Sequence, residues 1–319
     1  MTAVEKKMAL ESVDMLSLLG TNDSNLKIVE DRFNATITVR GENVIIKGVS
    51  EEVEGIEKIF KEMAYVLNTS GKLTEDDILT ILNLTSAGEQ VFDEKEYDSI
   101  VLYTKHDVIK ARTSGQKKYV EAAMQNDICF AIGPAGTGKT YLAVALAVSS
   151  LKKGRIKKII LARPAVEAGE SLGFLPGDFR EKIDPYLKPL YDALDDMIPS
   201  EKLRSYLEKG IVEIVPLAYM RGRTLNNAYV ILDEAQNATA MQMKMFLTRL
   251  GANSKAIVTG DITQIDLPPK QVSGLVQARD ILSNIKGVSF VYFDRSDVVR
   301  HRLVKDIIDA YDKCNGNNQ

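Results

Sequence analysis

One eight-residue segment constrains this 319-residue chain more than any other. It directly follows the apolar run 128–132 and leads into residues 140–151, which contain no helix breaker. Its pattern, GxxxxGK(S/T), is typical of a strand–loop–helix unit whose backbone wraps around phosphate groups. The predicted phosphate-binding residues are Gly133, Pro134, Ala135, Gly136, Thr137, Gly138, Lys139 and Thr140.

The last two residues of this loop have side chains suited to a nucleotide and its metal ion. Lys139 offers a positive charge to the β- and γ-phosphates, and the hydroxyl of Thr140 is a ligand for Mg²⁺. The loop therefore predicts ATP and Mg²⁺ as cofactors. A chance glycine-rich turn is the alternative, and the correct flanking segments disfavour it.

A second motif is the apolar run 228–232, which ends in two adjacent carboxylates, Asp233 and Glu234. Buried carboxylates are costly unless a cation or water uses them. Asp233 is the predicted carboxylate on the Mg²⁺ side, and Glu234 is placed to polarise the attacking water. Without the phosphate loop, the same pattern would also fit a solvated strand end.

Two glutamines are further candidates. Gln264 follows a third apolar run, 255–259, and its amide is a candidate sensor of the γ-phosphate, although an ordinary turn would look similar. Gln116 lies in a predicted helix start just before the phosphate-loop strand. Its amide offers a donor and an acceptor to the edge of adenine, and a simple capped helix start is the alternative.

The second part of the chain alternates apolar strands with helical patterns. This order predicts an α/β fold with a parallel sheet covered on both faces, whose ligands bind beyond the carboxyl ends of the strands. The predicted strands are 128–132, 157–162, 212–215, 228–232, 255–259 and 288–292, and the predicted helices include 140–151, 182–197 and 240–250.

The chain divides by pattern into three regions. Residues 1–70 are predicted to form a small α+β domain, with a helix at 26–33, strands at 36–40 and 43–47, and an amphipathic helix at 51–67. Residues 71–110 are predicted as an acidic linker region with some secondary structure, and residues 111–319 as the phosphate-binding domain. Charge follows the same division: residues 1–110 carry a net charge of −9 and residues 111–319 carry +6. A polyanionic partner should therefore meet the second part.

No segment of the sequence predicts a membrane association. No run of about 18 apolar residues is present, and the N-terminus lacks the apolar core of a signal peptide. We therefore expect a cytoplasmic protein with no membrane contact.

Together these motifs resemble those of the PhoH-like ATPases, relatives of the helicases with a RecA-type core. The resemblance covers most of residues 111–312 and is most specific at Gly169-Glu170-Ser171-Leu172-Gly173-Phe174-Leu175-Pro176-Gly177-Asp178. It also rests on Arg163-Pro164-Ala165-Val166, Asp233-Glu234-Ala235-Gln236-Asn237 and Gly260-Asp261 with Gln264. The resemblance implies ATP hydrolysis beside RNA-processing enzymes, with an endoribonuclease among the partners.

The N-terminal domain resembles a KH domain, which clamps a nucleotide backbone with a GXXG loop between helices. The aligned loop here is Gly20-Thr21-Asn22-Asp23, so the second glycine is replaced by an aspartate. Asp23 adds bulk and negative charge where a phosphate should pass. A weakened RNA clamp and a protein-docking module are both consistent with this change.

Residues 111–319 suffice for one RecA-type core, whereas the helicases of this superfamily carry two and hydrolyse ATP between them. A single core leaves the γ-phosphate side open and lacks an arginine from across a cleft. We therefore expect self-association, with a hexameric ring as one form, in which a neighbouring subunit supplies that arginine. Arg300 is the first candidate. The others, each of which also fits an ordinary surface arginine, are Arg163, Arg221, Arg223, Arg295 and Arg302.

Two functions from different classes remain open. The first is an oligomeric ATP-driven motor that remodels or processes RNA, and the second is an ATP-switched scaffold that controls a protein partner without RNA contact. A small-molecule kinase is disfavoured because the Asp233-Glu234 pair activates water. A basic cluster fits either an RNA backbone track or a solvated surface: Lys152, Lys153, Arg155, Lys157, Lys158, Arg221 and Arg223.

Overall fold

The computed structural model of the chain describes residues 4–10, 13–86, 99–104, 108–164, 179–268 and 270–299. The chain forms two compact units. The N-terminal unit comprises Met1–Lys110, Val148–Arg155 and Asp195–Lys202. The core unit comprises Ala111–Ala147, Ile156–Leu194 and Leu203–Gln319.

The N-terminal unit begins with a three-stranded antiparallel sheet and three helices. In chain order these are β1 (Val4–Ala9), α1 (Met15–Leu19), α2 (Ser24–Glu30), β2 (Thr36–Arg40), β3 (Asn43–Gly48) and α3 (Ser50–Ser70). The strand order in the sheet is β1-β3-β2. Helix α3 buries Val53, Ile56, Phe60 and Met63, spaced three or four residues apart, so the predicted amphipathic helix is confirmed.

The described part of residues 71–110 adds a helix and a hairpin to this unit. They are α4 (Glu75–Ser86), β4 (Ile100–Tyr103) and β5 (Val108–Lys110). Ile78, Ile81 and Leu82 of α4 belong to the same apolar cluster as the buried face of α3. The segment predicted as a linker therefore contributes to the core of the N-terminal unit, because α4 carries an apolar stripe at helical spacing.

The core unit alternates strands and helices as the sequence predicts. Its strands are β6 (Ile128–Ile132), β7 (Lys158–Arg163), β8 (Val212–Pro216), β9 (Ala228–Leu232), β10 (Lys255–Gly260) and β11 (Val288–Tyr292). Its helices are α5 (Ser114–Gln125), α6 (Lys139–Lys152), α7 (Phe179–Asp195), α8 (Ser200–Glu208), α9 (Ala240–Leu247) and α10 (Gly274–Leu282), of which α6, α7 and α8 each have one end in the N-terminal unit.

The six core strands form one parallel sheet in the order β11-β6-β10-β9-β7-β8. All five residues of β9 are buried, as expected for a strand covered on both faces. The α/β class and the RecA-like parallel core are therefore confirmed. Because β10 pairs with both β6 and β9, the loop after β6 and the carboxylates after β9 lie at the same edge of the sheet, on either side of the end of β10.

Within the described residues, no helix combines the length and the apolar character that crossing a membrane requires.

Candidate active site

The phosphate loop leaves β6 at Gly133, a position that only glycine fits. The amide of Gly133 donates to the carbonyl of Gly260 at the end of β10, over 3.1 Å. A Cβ on Gly133 would lie 2.5 Å from the carbonyl oxygen of Phe293, which is closer than real Cβ atoms come. Gly136 and Gly138 have φ angles of 82° and 78°, which side chains rarely adopt. The loop is thus shaped by its glycines, and α6 starts at its last turn.

Lys139 places its ammonium inside the loop. Nζ donates to the carbonyl oxygens of Gly133 at 2.6 Å and Pro134 at 2.8 Å, and the residue is only 9% exposed. Burial lowers the pKa of Lys139, while the carboxylates of Asp261, Glu234 and Asp233 act in the opposite direction. One ammonium among three carboxylates leaves the cleft with a net negative charge, so an anionic ligand would have to enter it together with a cation.

Thr140 and Asp233 meet in the arrangement expected of a magnesium site. The Thr140 hydroxyl donates to Asp233 Oδ1 over 2.6 Å, and the Thr259 hydroxyl donates to the same oxygen over 2.7 Å. Asp233 is 5% exposed. Hydroxyl and carboxylate oxygens are ligands that Mg²⁺ prefers, and it usually takes its remaining ligands from water and substrate phosphates. The residues present therefore fit Mg²⁺ bound together with a nucleotide.

The described residues show no metal site built from protein ligands alone. Among them, no group of three or more histidine, cysteine, aspartate or glutamate side chains is arranged to hold a metal ion. A site of one hydroxyl and one carboxylate accordingly depends on ligands from the nucleotide.

Glu234 is held in a defined position beside Asp233. Its backbone has a φ of 50°, in the left-handed region that non-glycine residues rarely adopt. Oε2 accepts a hydrogen bond of 2.6 Å from Gln236 Nε2, and Oε1 lies 3.6 Å from an Nη atom of Arg163. The side chain is 39% exposed, so water can reach this carboxylate.

The turn after β10 brings Gln264 to the same cleft. Gln264 Nε2 donates to Asp261 Oδ2 over 2.8 Å, and Asp261 Oδ1 accepts from the amide and the hydroxyl of Thr263. Asp261 therefore orients Gln264. A Cβ on Gly260 would lie 2.6 Å from the Leu275 side chain, so the strand end needs glycine.

These groups surround one open cleft of about 270 Å³ in the core unit. That is close to the lower end of the volume range of small-ligand sites. Its lining residues are Ala135, Gly136, Gly138, Lys139, Thr140, Tyr141, Asp233, Glu234, Gly260, Asp261 and Gln264. The structure thus brings together the predicted Lys139, Thr140, Asp233, Glu234 and Gln264.

Gln116 occupies a different position from the cleft-lining residues. It is buried, its Oε1 accepts from the amide of Arg112 at 2.6 Å, and its Nε2 donates to the carbonyl of Thr137 at 3.0 Å. In this conformation both ends of its amide connect the start of α5 to the phosphate loop. Its contact with adenine stays a prediction.

The arginines that are candidates for completing the γ-phosphate side lie in different environments. Arg163 is in contact with Glu234, Arg223 pairs with Glu213 at 2.7 Å, and Arg221 and Arg295 are exposed. Arg300, Arg302, residues 165–166 and residues 169–178 lie outside the described residues.

The basic cluster is distributed over both units. Lys152, Lys153 and Arg155 belong to the N-terminal unit, and Lys152 Nζ donates to the carbonyl of Tyr103 over 2.7 Å. In the core unit, Lys158 pairs with Glu213, as does Arg223. Part of the predicted positive charge is therefore neutralised within the chain.

Two polar residues of the site were not assigned a role from the sequence. Gln236 is 1% exposed and connects Glu234 to the amide of Asp261, which donates to its Oε1 at 3.1 Å. Asp261 orients Gln264 and affects the pKa of Lys139. Both lie in the motifs quoted above, Asp261 directly after β10 and Gln236 four residues after β9. A polar residue close to the end of a buried strand was the signal that could have identified them.

Comparison with solved structures gives a distant likeness. The Sulfolobus solfataricus SWI2/SNF2 ATPase core in complex with dsDNA is 16% identical, with a TM-score of 0.36, over 60% of this chain and 47% of that chain. The fold assignment rests on the strand order of the sheet itself.

Comparison with known sequences is far more specific. The family model described as "PhoH-like protein" matches residues 108–312. The PhoH-like protein of Bacillus subtilis (strain 168) is 52% identical over 303 residues, which cover 95% of each chain. That of Synechocystis sp. is 44% identical over 93% of this chain and 91% of its own. Protein PhoH of Escherichia coli (strain K12) is 48% identical over 64% of this chain and 58% of its own. The chain therefore belongs to the PhoH-like family and is a nucleotide-binding P-loop enzyme of the ATPase type.

Proposed function

We propose that this protein hydrolyses ATP with Mg²⁺ in the cleft of the core unit. The observation that carries the proposal is the position of Glu234. It is a water-accessible carboxylate next to Asp233, whose Oδ1 bonds the hydroxyl of Thr140 at the end of the phosphate loop. A general base belongs within reach of a water that faces the terminal phosphate.

In the proposed reaction, Glu234 accepts a proton from the attacking water. The water oxygen forms a bond to the γ-phosphorus, and the bond from that phosphorus to the bridging oxygen breaks. ADP leaves with the electron pair of that bond on its terminal phosphate. Lys139 balances the negative charge of the β- and γ-phosphates, and the amide of Gln264 orients the γ-phosphate or the water.

Thr140 and Asp233 are the residues that would hold Mg²⁺ in this site. When bound, the ion supplies positive charge to the phosphate oxygens and so stabilises the negative charge of the reaction. The three carboxylates near Lys139 are consistent with a site that gains a cation together with the nucleotide.

We further propose that ATP turnover is coupled to RNA remodelling or RNA processing. Two features support RNA as the partner. The net charge of +6 over residues 111–319 favours a polyanion, and the N-terminal unit has its Gly20–Asp23 loop between α1 and α2, where a KH domain has its clamp. We likewise propose an endoribonuclease as a protein partner.

The site also supports self-association as a proposal. Glu234 is partly open to solvent, and Arg163 is held by groups of its own chain. An arginine from a neighbouring subunit, for which Arg300 is the first candidate, would complete the γ-phosphate side. A hexameric ring is one closed arrangement that repeats such a contact.

The test is ATP turnover with and without single-stranded poly(U) RNA, with Lys139→Ala protein as the blank and light scattering on the same sample. We expect RNA to raise turnover several-fold in an oligomeric sample. Equal turnover with and without RNA would favour the ATP-switched scaffold. A monomer under turnover conditions would remove the oligomer proposal.

A further inference from the structure

Arg163 and Glu234 leave two neighbouring strands at the same edge of the core sheet. Strands β7 and β9 pair in parallel, with Ala162 opposite Leu232, and the amide of Asp233 donates to the carbonyl of Ala162 over 2.9 Å. Arg163 is the last residue of β7, and Glu234 is the second residue after β9. The register of the two strands therefore places these two residues close to each other at the edge of the sheet.

The guanidinium of Arg163 contacts two different elements of its own chain. One Nη atom lies 3.6 Å from Glu234 Oε1, and the other donates to the carbonyl of Tyr186, in helix α7, over 2.9 Å. The side chain is 16% exposed. A single side chain thus connects the proposed catalytic carboxylate to the backbone of α7.

The other oxygen of the same carboxylate is held by a second residue. Gln236 donates to Glu234 Oε2, and the buried Gln236 is itself fixed by the amide of Asp261. Oε1 is therefore contacted from the end of β7, whereas Oε2 is contacted by Gln236, which follows β9 and is tied to Asp261 at the end of β10. A carboxylate restrained at both oxygens has one orientation toward the cleft.

We propose that Arg163 is a positioning residue that acts in cis: it orients Glu234 and couples helix α7 to that carboxylate. This assignment rests on the proposed function of Glu234. It differs from the role in trans that the sequence allowed, because reaching a neighbouring subunit would require both Nη contacts to break. An ion pair that is partly open to water is weak. A movement of α7 can therefore break or re-form the ion pair between Arg163 and Glu234.

The variants that test this are Arg163→Ala and Arg163→Lys, with Arg249→Ala as a matched control. Arg249 is also half-buried and also donates to a backbone carbonyl, that of Arg223 at 3.2 Å, but its hydrogen-bond partners lie outside the cleft lining, whereas Arg163 contacts Glu234. We expect Arg163→Ala to lower kcat by about 10- to 100-fold, since a displaced catalytic group costs up to that much. ATP affinity, measured with a fluorescent ATP analogue, and Tm should match the control.

Arg163→Lys separates positioning from folding. A lysine restores the charge without the two-pronged geometry, so kcat should recover in part. Loss of ATP affinity together with kcat in Arg163→Ala would overturn the proposal, because Arg163 would then act on the nucleotide or on stability. An unchanged kcat would overturn it as well.

A double variant, Arg163→Ala combined with Glu234→Asp, tests whether Arg163 acts through Glu234. Glu234→Asp withdraws the carboxylate by one methylene, so Arg163→Ala should add little to the loss that Glu234→Asp causes alone. Additive losses would mean that the two residues act independently.

Mixed Arg163→Ala and Lys139→Ala subunits should show no gain in turnover, since a gain would indicate action in trans. If Glu234→Gln turned over ATP at the wild-type rate, the proposed function itself would fail, whatever the result for Arg163.

Discussion

Two loops of this chain resemble phosphate-binding loops in their sequence, and they differ in one decisive respect. The loop from Gly133 to Thr140 in the core unit joins β6 to α6, and the loop from Gly20 to Asp23 in the N-terminal unit joins α1 to α2. Both start with a glycine after a regular element. The first encloses the ammonium of Lys139, and the second ends in the exposed carboxylate of Asp23.

The backbone of the second loop keeps a shape that usually needs glycine. Asn22 and Asp23 have φ angles of 55° and 58°, so Asp23 adopts the left-handed conformation without being glycine. Aspartate and asparagine tolerate this region better than most residues. The loop thus has a backbone conformation that glycine would also adopt, but it carries a negative charge, and it is followed by a helix of 7 residues, against 14 after the phosphate loop.

The difference teaches that glycine spacing predicts the shape of a loop, whereas the charges within it decide the ligand. In the core unit, shape and charge agree. In the N-terminal unit, the backbone conformation of the loop could accommodate a phosphate, but the negative charge of Asp23 would repel it.

The largest expected effect comes from removing the charge that distinguishes the phosphate loop. Lys139→Ala should weaken ATP binding and lower turnover by about 100- to 1,000-fold, as expected for the loss of one main electrostatic contact. Affinity for a fluorescent ATP analogue and the rate of phosphate release would measure this. The exposed Lys286→Ala serves as the control. Wild-type affinity in Lys139→Ala would place the nucleotide elsewhere.

A smaller effect is expected from restoring glycine in the N-terminal loop. Asp23→Gly removes a negative charge and keeps a backbone conformation that glycine adopts freely, so RNA affinity should rise about fivefold at low salt. Filter binding with single-stranded RNA over a salt series measures this. Asp31→Asn removes an exposed charge outside the loop and is the control. An unchanged affinity would show that RNA does not contact this loop, which would favour a protein-docking role.

For RNA binding by the N-terminal loop, point substitutions are a cleaner test than removal of residues 1–70. Helix α4 packs its apolar residues into the same cluster as α3, so a cut between them would expose a shared core. A loss of RNA binding after such a cut would report unfolding as readily as a lost contact.

Much of the core unit could be predicted from the sequence because its strands are continuous apolar runs. Strands β6, β9 and β11 begin and end where the pattern predicted, β8 and β10 are one residue longer at the C-terminal end, and β7 is shifted by one residue. Strand β1 was missed for the opposite reason. Five of its six residues are exposed and only Met8 is buried, so the segment carries no apolar pattern.

The site was predictable where one motif contains the chemistry, and not where distant segments meet. The contact between Thr140 and Asp233 follows from two familiar motifs. The pairing of Arg163 with Glu234 depends on β7 lying next to β9, which no local pattern specifies. The roles of Gln116 and Arg300 stay predictions.

The most direct test of the central claim compares Glu234→Gln with Glu213→Gln. Glu213 lies on β8 and also pairs with an arginine, so it controls for the loss of a paired carboxylate outside the cleft. Binding of a fluorescent ATP analogue and steady-state phosphate release would be measured on both proteins with Mg²⁺. We predict that Glu234→Gln binds the analogue as tightly as the wild type while its turnover falls about 100- to 10,000-fold, and that Glu213→Gln retains both. Undiminished turnover in Glu234→Gln would contradict the assignment of Glu234 as the base.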